Sequence, residues 1–107
     1  MDRKRLAQYE ARAKIIKALA HPARLLIVDE LTKHGERCVC ELTELVGLDM
    51  STVSRHLNQL KNAGIVTDEK RGTAVYYRLQ VPCLQGFFEC VESVLTRNAK
   101  AQQEWLG

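Results

Sequence analysis

Apolar residues return at three- and four-residue steps through the first third of the chain, which is the spacing of one face of a helix. From about Asp2 to Leu19 they are interleaved with charged positions, so we predict an amphipathic first helix there. Pro22 opens a second helical pattern and Gly35 closes it, since proline fits the first turn of a helix and glycine commonly follows the last. Two successive helices are therefore expected before residue 36.

The helical period continues in three further segments. A short helix is predicted over residues 39–46, and a fourth over residues 52–62 with Ser51 as its N-cap, because a serine hydroxyl accepts hydrogen bonds from the free N–H groups at a helix start. A last helix is expected over about residues 82–97. Its apolar face is wider than the core of a small monomer needs, which favours pairing with a second copy of the chain.

Ahead of the last helix the period shortens to two, the period of a strand. Residues 65–69 and 73–79 are predicted strands, and Lys70–Gly72 is the predicted turn between them. The order is four helices, a hairpin and a helix, so the expected fold class is mainly α with a β-hairpin. Since 107 residues fit one domain, residues 1–107 are predicted to form a single winged helix-turn-helix.

The third and fourth helices, joined by a tight turn, are the two parts of a helix-turn-helix. Val53, Leu57 and Leu60 stand at helical spacing and define the buried face of the fourth helix. No acidic residue occurs between Ser51 and Thr67, which favours a DNA-contacting surface over an ordinary solvated one. The predicted DNA-binding residues of this helix and of the hairpin are Ser51, Thr52, Ser54, Arg55, His56, Gln59, Lys61, Lys70 and Arg71.

Charge and composition narrow the class of protein. Sixteen Lys and Arg against 13 Asp and Glu give a net charge of +3, which permits binding to a polyanion. No stretch approaches the ~18 consecutive apolar residues of a membrane span, and Met1–Arg5 leads into no signal-like apolar segment. We therefore expect a cytoplasmic protein without a membrane partner, whose four cysteines are reduced rather than paired as disulfides.

Several motifs together resemble the ArsR/SmtB family of winged-helix repressors, over roughly residues 10–97. They are Ala18–Leu25, Arg37–Leu42, Ser51–Leu57, and Gly64–Val66 ahead of Tyr76–Leu79. The resemblance implies a homodimer built from the first and last helices, about residues 3–19 and 82–97. It also implies binding to double-stranded operator DNA with dyad symmetry and release when a metal ion binds. The Cys38-Val39-Cys40 motif is most similar to the arsenic-sensing branch.

Cys38 and Cys40 lie where the third helix is predicted to begin, and the helix dipole and Arg37 favour thiolates there. On a regular helix, residues two apart point about 200° away from each other. Both could hold one ion only if the first turn opened. The hypothesis is that arsenite or antimonite, As(III) or Sb(III), binds Cys38 and Cys40 and opens that turn, while folding itself requires no cofactor.

A third thiolate for As(III) is not obvious in the sequence. Arsenic-sensing relatives that resemble this chain often carry a cysteine three residues after the second one, and here Thr43 stands at that position. Cys83 and Cys90, two helical turns apart, are the alternative ligands, although packing as small apolar side chains is the stronger expectation for both. The last helix has Glu89 and no histidine, which argues against the zinc site that the resemblance would otherwise imply.

Other functions stay open at this stage. A repressor of the same fold could respond to thiol oxidation or polysulfide, or to Cd, Pb or Zn. A winged helix used only for protein contacts would show no salt-dependent affinity for DNA. We do not expect an enzyme, because no glycine-rich oxyanion loop surrounds a cysteine and the strand–helix alternation of thiol reductases is missing.

Overall fold

Helices dominate the computed structural model, which describes residues 1–106. The helices are α1 (Arg3–Leu19), α2 (Pro22–His34), α3 (Val39–Val46), α4 (Met50–Asn62) and α5 (Leu84–Leu106), and the strands are β1 (Arg37–Cys38), β2 (Val66–Arg71) and β3 (Ala74–Leu79). The strands form one antiparallel sheet in the order β1-β3-β2. This order confirms a mainly helical winged helix-turn-helix.

Local chemistry explains where most helices begin and end. The Asp2 carboxylate accepts the Arg5 N–H at 2.8 Å ahead of α1, and the His21 imidazole accepts the Ala23 N–H at 3.1 Å ahead of α2. Gly47 ends α3 with φ 76° and ψ 18°, a left-handed conformation that glycine adopts without a steric penalty. The prediction that Ser51 is the N-cap of α4 is wrong. The N-cap is Asp49, whose carboxylate accepts the Thr52 N–H at 2.7 Å.

The turn of the hairpin lies later in the chain than its sequence pattern suggested. β2 and β3 pair from Val66 opposite Leu79 to Arg71 opposite Ala74, so the turn lies at residues 72–73 and not at 70–72. The two-residue strand β1 was not predicted. It adds Arg37 and Cys38 to the free edge of β3, and thereby joins the segment before α3 to the hairpin.

A single apolar core lies between α2, α3, α4 and the sheet. Its fully buried side chains are Ile27, Val28, Leu31, Leu42, Val53, Leu57, Leu60, Ile65 and Val66. From α1, only Leu19 is buried, and α5 adds partly buried Leu84 and Phe88. The radius of gyration is 16.7 Å, against about 13 Å for a compact domain of this length, so the terminal helices extend beyond the core.

The last helix differs from its prediction at both ends. It begins at Leu84, after a turn at residues 82–83, and continues to Leu106 instead of ending near residue 97. Cys83 therefore precedes the helix. The predicted alignment of Cys83 and Cys90 on one helical face is wrong.

Candidate DNA-binding surface and cysteine site

The core fixes the position of α4 through its inner face. Val53, Leu57 and Leu60 are fully buried, and α3 packs against them through Leu42. The opposite face of α4 is exposed at Ser51, Arg55, Gln59 and Lys61, and half-buried at Thr52 and Ser54. These six side chains were predicted to share one polar surface, and they lie together on this face of α4.

His56 does not belong to that surface. It is only 9% exposed, its Nδ1 accepts a hydrogen bond from Arg24 Nε at 3.0 Å, and its ring lies 4.4 Å from the ring of His21. The prediction that His56 is exposed for DNA contact is wrong. The sequence held the signal, because His56 follows Val53 by three residues and precedes Leu60 by four, so it adjoins the buried face.

The surroundings of His56 disfavour a charged imidazole. Burial lowers its pKa, and the neighbouring His21, Arg24 and Arg55 lower it further. Neutral His56 can therefore keep accepting the Arg24 hydrogen bond. Arg24 also donates from Nη1 to the Ala18 carbonyl oxygen at 3.3 Å, so one guanidinium connects the end of α1, the start of α2 and the middle of α4.

The amino-terminal end of α4 carries an anion that sequence analysis missed. The Asp49 carboxylate accepts the Thr52 N–H at 2.7 Å and the Ser51 hydroxyl at 2.9 Å. The bond from Thr52 is the main reason that the pKa of Asp49 is lowered, followed by the bond from Ser51 and the charge of Arg55. Asp49 thus stays ionised at the helix start and orients Ser51.

Two of the cations predicted to bind DNA already have acidic partners. Lys61 Nζ lies 3.0 Å from Asp68 Oδ1, and the Arg71 guanidinium contacts Glu36 and Glu69. Lys70 is exposed and takes part in none of the ion pairs found within residues 1–106. The wing, which is the β2–β3 hairpin, therefore presents Lys70 freely, whereas Arg71 is held by its acidic partners.

The Cys38 and Cys40 pair lies at the junction of β1 and α3. Cys38 is the N-cap, with extended backbone angles of φ −81° and ψ 161°, and is half-buried, whereas Cys40 is exposed in the first helical turn. Because Cys38 is not helical, the 200° separation expected for two helical residues does not apply to this pair. The pair therefore lies across the boundary between extended and helical backbone.

Glu41 accompanies the two cysteines. Its carboxylate accepts the Cys38 N–H at 3.2 Å and a bond from Arg37 Nη1 at 3.1 Å. Hydrogen bonding from Cys38 is the main cause of the lowered pKa of Glu41, and the Arg37 charge adds to it. The Glu41 carboxylate therefore links the first turn of α3 to both residues of β1 by hydrogen bonds.

The two remaining cysteines are exposed, not packed. Cys83 lies in the turn before α5, and Cys90 lies on α5, so the expectation that both are buried is wrong for a single chain. Within residues 1–106, no cluster of three or more His, Cys, Asp or Glu side chains is arranged to hold a metal ion. Thr43, at the position of the third cysteine in the resembling family, has a buried hydroxyl without a hydrogen-bond partner in the described part of the chain.

Apolar side chains remain uncovered along α1 and α5. A groove of about 810 Å³ opens between α1, α2 and α5, and Ile16, Phe87 and Leu95 along it are each about half exposed. The described helices include none with the length and apolar content needed to cross a membrane.

Comparison with known proteins identifies close relatives. The model of the bacterial regulatory protein family arsR matches residues 21–68. The arsenic resistance transcriptional regulator ArsR1 of Pseudomonas putida is 40% identical over 95 residues, which cover 87% of this chain and 70% of that protein. The arsenical resistance operon repressor of Bacillus subtilis is 43% identical over 74 residues, covering 69% of this chain and 68% of that one.

A solved structure agrees in fold. The homodimeric winged helix-turn-helix DNA-binding domain from Mycobacterium bovis superposes with a TM-score of 0.77 at 31% identity, covering 94% of this chain and 93% of that one. The similarity extends over the terminal helices as well as the helix-turn-helix and its wing.

Proposed function

Since the chain belongs to the ArsR family of bacterial regulatory proteins and is a DNA-binding transcriptional repressor, we propose that arsenite or antimonite releases it from the operator of a resistance operon. The observation that carries this proposal is the position of Cys38 and Cys40, one half-buried and one exposed, at the start of the first helix of the helix-turn-helix.

The DNA-bound form is a homodimer paired through α1 and α5. Exposed apolar side chains of both helices and the extended shape of the single chain support this arrangement, as does the homodimeric relative from Mycobacterium bovis. Two copies of α4 then enter successive major grooves about 34 Å apart, so the operator has dyad symmetry.

Each exposed polar side chain of α4 has a role suited to its chemistry. Arg55 and Gln59 contact base edges, because a guanidinium and an amide read guanine and adenine respectively. Ser51, Lys61 and Lys70 contact phosphates, and the half-buried hydroxyls of Thr52 and Ser54 lie between the two sets. Arg71 reaches phosphate only when its acidic partners are displaced.

The inducer exchanges oxygen for sulfur at the cysteine pair. Arsenous acid, As(OH)₃, forms bonds to Cys38 Sγ and Cys40 Sγ, and two hydroxyl groups leave with the two thiol protons as two waters. Soft thiolates suit such an ion. The third arsenic position either keeps its hydroxyl group or binds the sulfur of Cys83 or Cys90. That cysteine comes from the same chain after a rearrangement of its backbone, or from the second subunit.

Binding at the pair weakens DNA binding because α3 packs directly on α4. Drawing Cys38 towards Cys40 opens the first turn of α3 and displaces Glu41 from the Cys38 N–H. The resulting tilt of α3 moves α4 in the groove. By linkage, saturating operator DNA weakens arsenite binding by the same factor by which arsenite weakens operator binding.

Titration of arsenite into the reduced protein on fluorescent DNA tests this function. The DNA is a dyad sequence that the protein itself selects from a random pool. We expect stoichiometric arsenite to release the wild type and to leave both Cys38→Ser and Cys40→Ser bound. Cys83→Ser and Cys90→Ser are the matched thiol controls.

Each alternative has its own result in this assay. Loss of release in Cys83→Ser or Cys90→Ser assigns the third sulfur to that residue. Tight DNA binding without release by arsenite refutes the proposed inducer, and release by mild oxidant instead indicates a thiol-redox repressor.

A further inference from the structure

Arg71, at the end of β2, is held by two carboxylates and an aromatic ring. Its Nη2 lies 2.9 Å from Glu36 Oε2 and 2.9 Å from Glu69 Oε2, and its Nη1 also contacts Glu36. The guanidinium carbon stands 4.8 Å from the centre of the Tyr76 ring. Arg71 is thus fixed on the wing by groups that lie on both sides of it.

The two carboxylates come from different parts of the fold. Glu69 belongs to β2, the same strand as Arg71, so its contact stays within the hairpin. Glu36 lies 35 residues earlier in the chain, immediately before β1. The Glu36–Arg71 ion pair therefore spans from the hairpin to the segment that carries Cys38.

The same segment is joined to the hairpin by a strand ladder. Arg37 pairs with Tyr77, and Cys38 pairs with Tyr76, the residue whose ring lies under Arg71. Three consecutive residues, 36–38, thus supply an ion pair, two ladder positions and one cysteine of the inducer site. Movement of Cys38 cannot leave these contacts unchanged.

We propose that Glu36 and Arg71 transmit the state of the cysteine pair to the wing, as a second route beside the α3–α4 contact. In the inducer-free protein, β1 and Glu36 hold the hairpin in its DNA-binding position. When Cys38 is drawn towards Cys40, β1 leaves the edge of β3 and Glu36 moves away from Arg71. The wing then loses its fixed position and the phosphate contact of Lys70, while Glu69 still holds Arg71.

This inference rests on the proposed function, because the inducer acts at Cys38 and Cys40. It differs from that function in the element that responds. If α4 alone responded, substitutions at Glu36 would leave the effect of arsenite unchanged. If the wing also responds, they reduce it.

The test compares Glu36→Gln with Glu69→Gln. Each variant removes one negative charge beside the Arg71 guanidinium, so both change the electrostatic attraction to DNA in the same way. Only Glu36→Gln breaks the link between the hairpin and the segment that carries Cys38. The quantity measured is the ratio of operator Kd with and without arsenite. We expect Glu36→Gln to reduce this ratio about two- to fivefold, since exposed ion pairs couple weakly, and Glu69→Gln to retain the wild-type ratio.

A double substitution shows whether Glu36 acts through Arg71. Glu36→Gln combined with Arg71→Gln should give the ratio of Arg71→Gln alone, because residues that act through one contact are not additive. Additive effects of the two substitutions contradict a shared route.

Hydrogen exchange of the DNA-free protein supplies a readout independent of DNA binding. We expect arsenite to speed amide exchange in residues 70–77 of the wild type and of Glu69→Gln. In Glu36→Gln the same amides should exchange faster before arsenite and change less on its addition.

The outcomes distinguish a failure of the wing route from a failure of the proposed function. Release of wild type and Glu36→Gln by equal factors, with an unchanged exchange rate in the hairpin, overturns the wing route and leaves the arsenite-released repressor standing. Failure of arsenite to release the wild type removes both.

Discussion

The buried imidazole of His56 lies at the meeting point of α1, α2 and α4, where it accepts the Arg24 Nε–H at 3.0 Å. Burial, together with the nearby His21, Arg24 and Arg55, lowers its pKa in the folded protein. Below its ordinary pKa of about 6.5, the unfolded chain therefore binds a proton at this residue more readily than the folded chain does. Linkage then requires folding stability to fall as the solution becomes more acidic.

The pH dependence of unfolding measures this effect. His56 contributes almost no loss well above about pH 6.5, where it is neutral in both states, and a growing loss as the pH falls through and below that value. We expect the urea midpoint to decrease from pH 7.5 to pH 5.5 in the wild type and to decrease less in His56→Gln, whose amide oxygen can still accept from Arg24. His34→Gln, at the exposed end of α2, is the control, and an equal decrease in wild type and His56→Gln refutes the assignment.

Individual side chains differ in how far the sequence foretells them. The cap formed by His21 was predictable from local sequence. His21 directly precedes the proline that opens α2, and the N–H group that its side chain accepts belongs to Ala23, two positions later. The burial of His56 was also within reach of helical spacing. The partners of Arg71 were not, since Glu36 lies 35 positions away and only the folded sheet brings them together.

At the scale of elements, one face of α4 packs in the core and the opposite face is exposed and polar. Leu57 is fully buried in the core, so Leu57→Ala should lower the free energy of unfolding by about 2–5 kcal/mol. Gln59 is exposed two positions away, so Gln59→Ala should change it by less than about 0.5 kcal/mol while weakening operator binding. Denaturant unfolding and DNA titration of both variants check this, and a Gln59→Ala that binds the operator as tightly as wild type contradicts the assigned face.

Elements were predictable where their signals are local. Pro22 and Gly35 mark the start and end of α2, and Gly47 marks the end of α3. The alternation of apolar and polar residues around Tyr77 predicted β3. Strand β1 has only two residues and exists because β3 offers a free edge about 40 positions later, which no local pattern encodes. The end of α5 was misjudged because its last turns are polar yet helical.

At the scale of the whole molecule, the terminal helices leave apolar side chains exposed that a second copy of the chain would cover. α1 has 17 residues and buries Leu19 alone, although a helix in water depends on packing for most of its stability. α5 likewise leaves Phe87, Val91 and Leu95 between 41% and 55% exposed. The dyad operator proposed above would need two reading helices, and these uncovered faces would join the two subunits that carry them.

Leu95→Glu tests that assembly with little risk to the fold, because the side chain is 55% exposed in the single chain but lies on the groove between α1, α2 and α5. A charge in an apolar dimer interface is costly, so we expect the mass at micromolar concentration to shift from twice 12.2 kDa to 12.2 kDa. Operator affinity should then fall about 100-fold or more, since the two half-sites no longer bind as one unit. Gln102→Glu adds the same charge on an exposed part of α5 and should stay dimeric. Light scattering and DNA titration decide the matter: a dimeric Leu95→Glu with full affinity would place the subunit interface elsewhere.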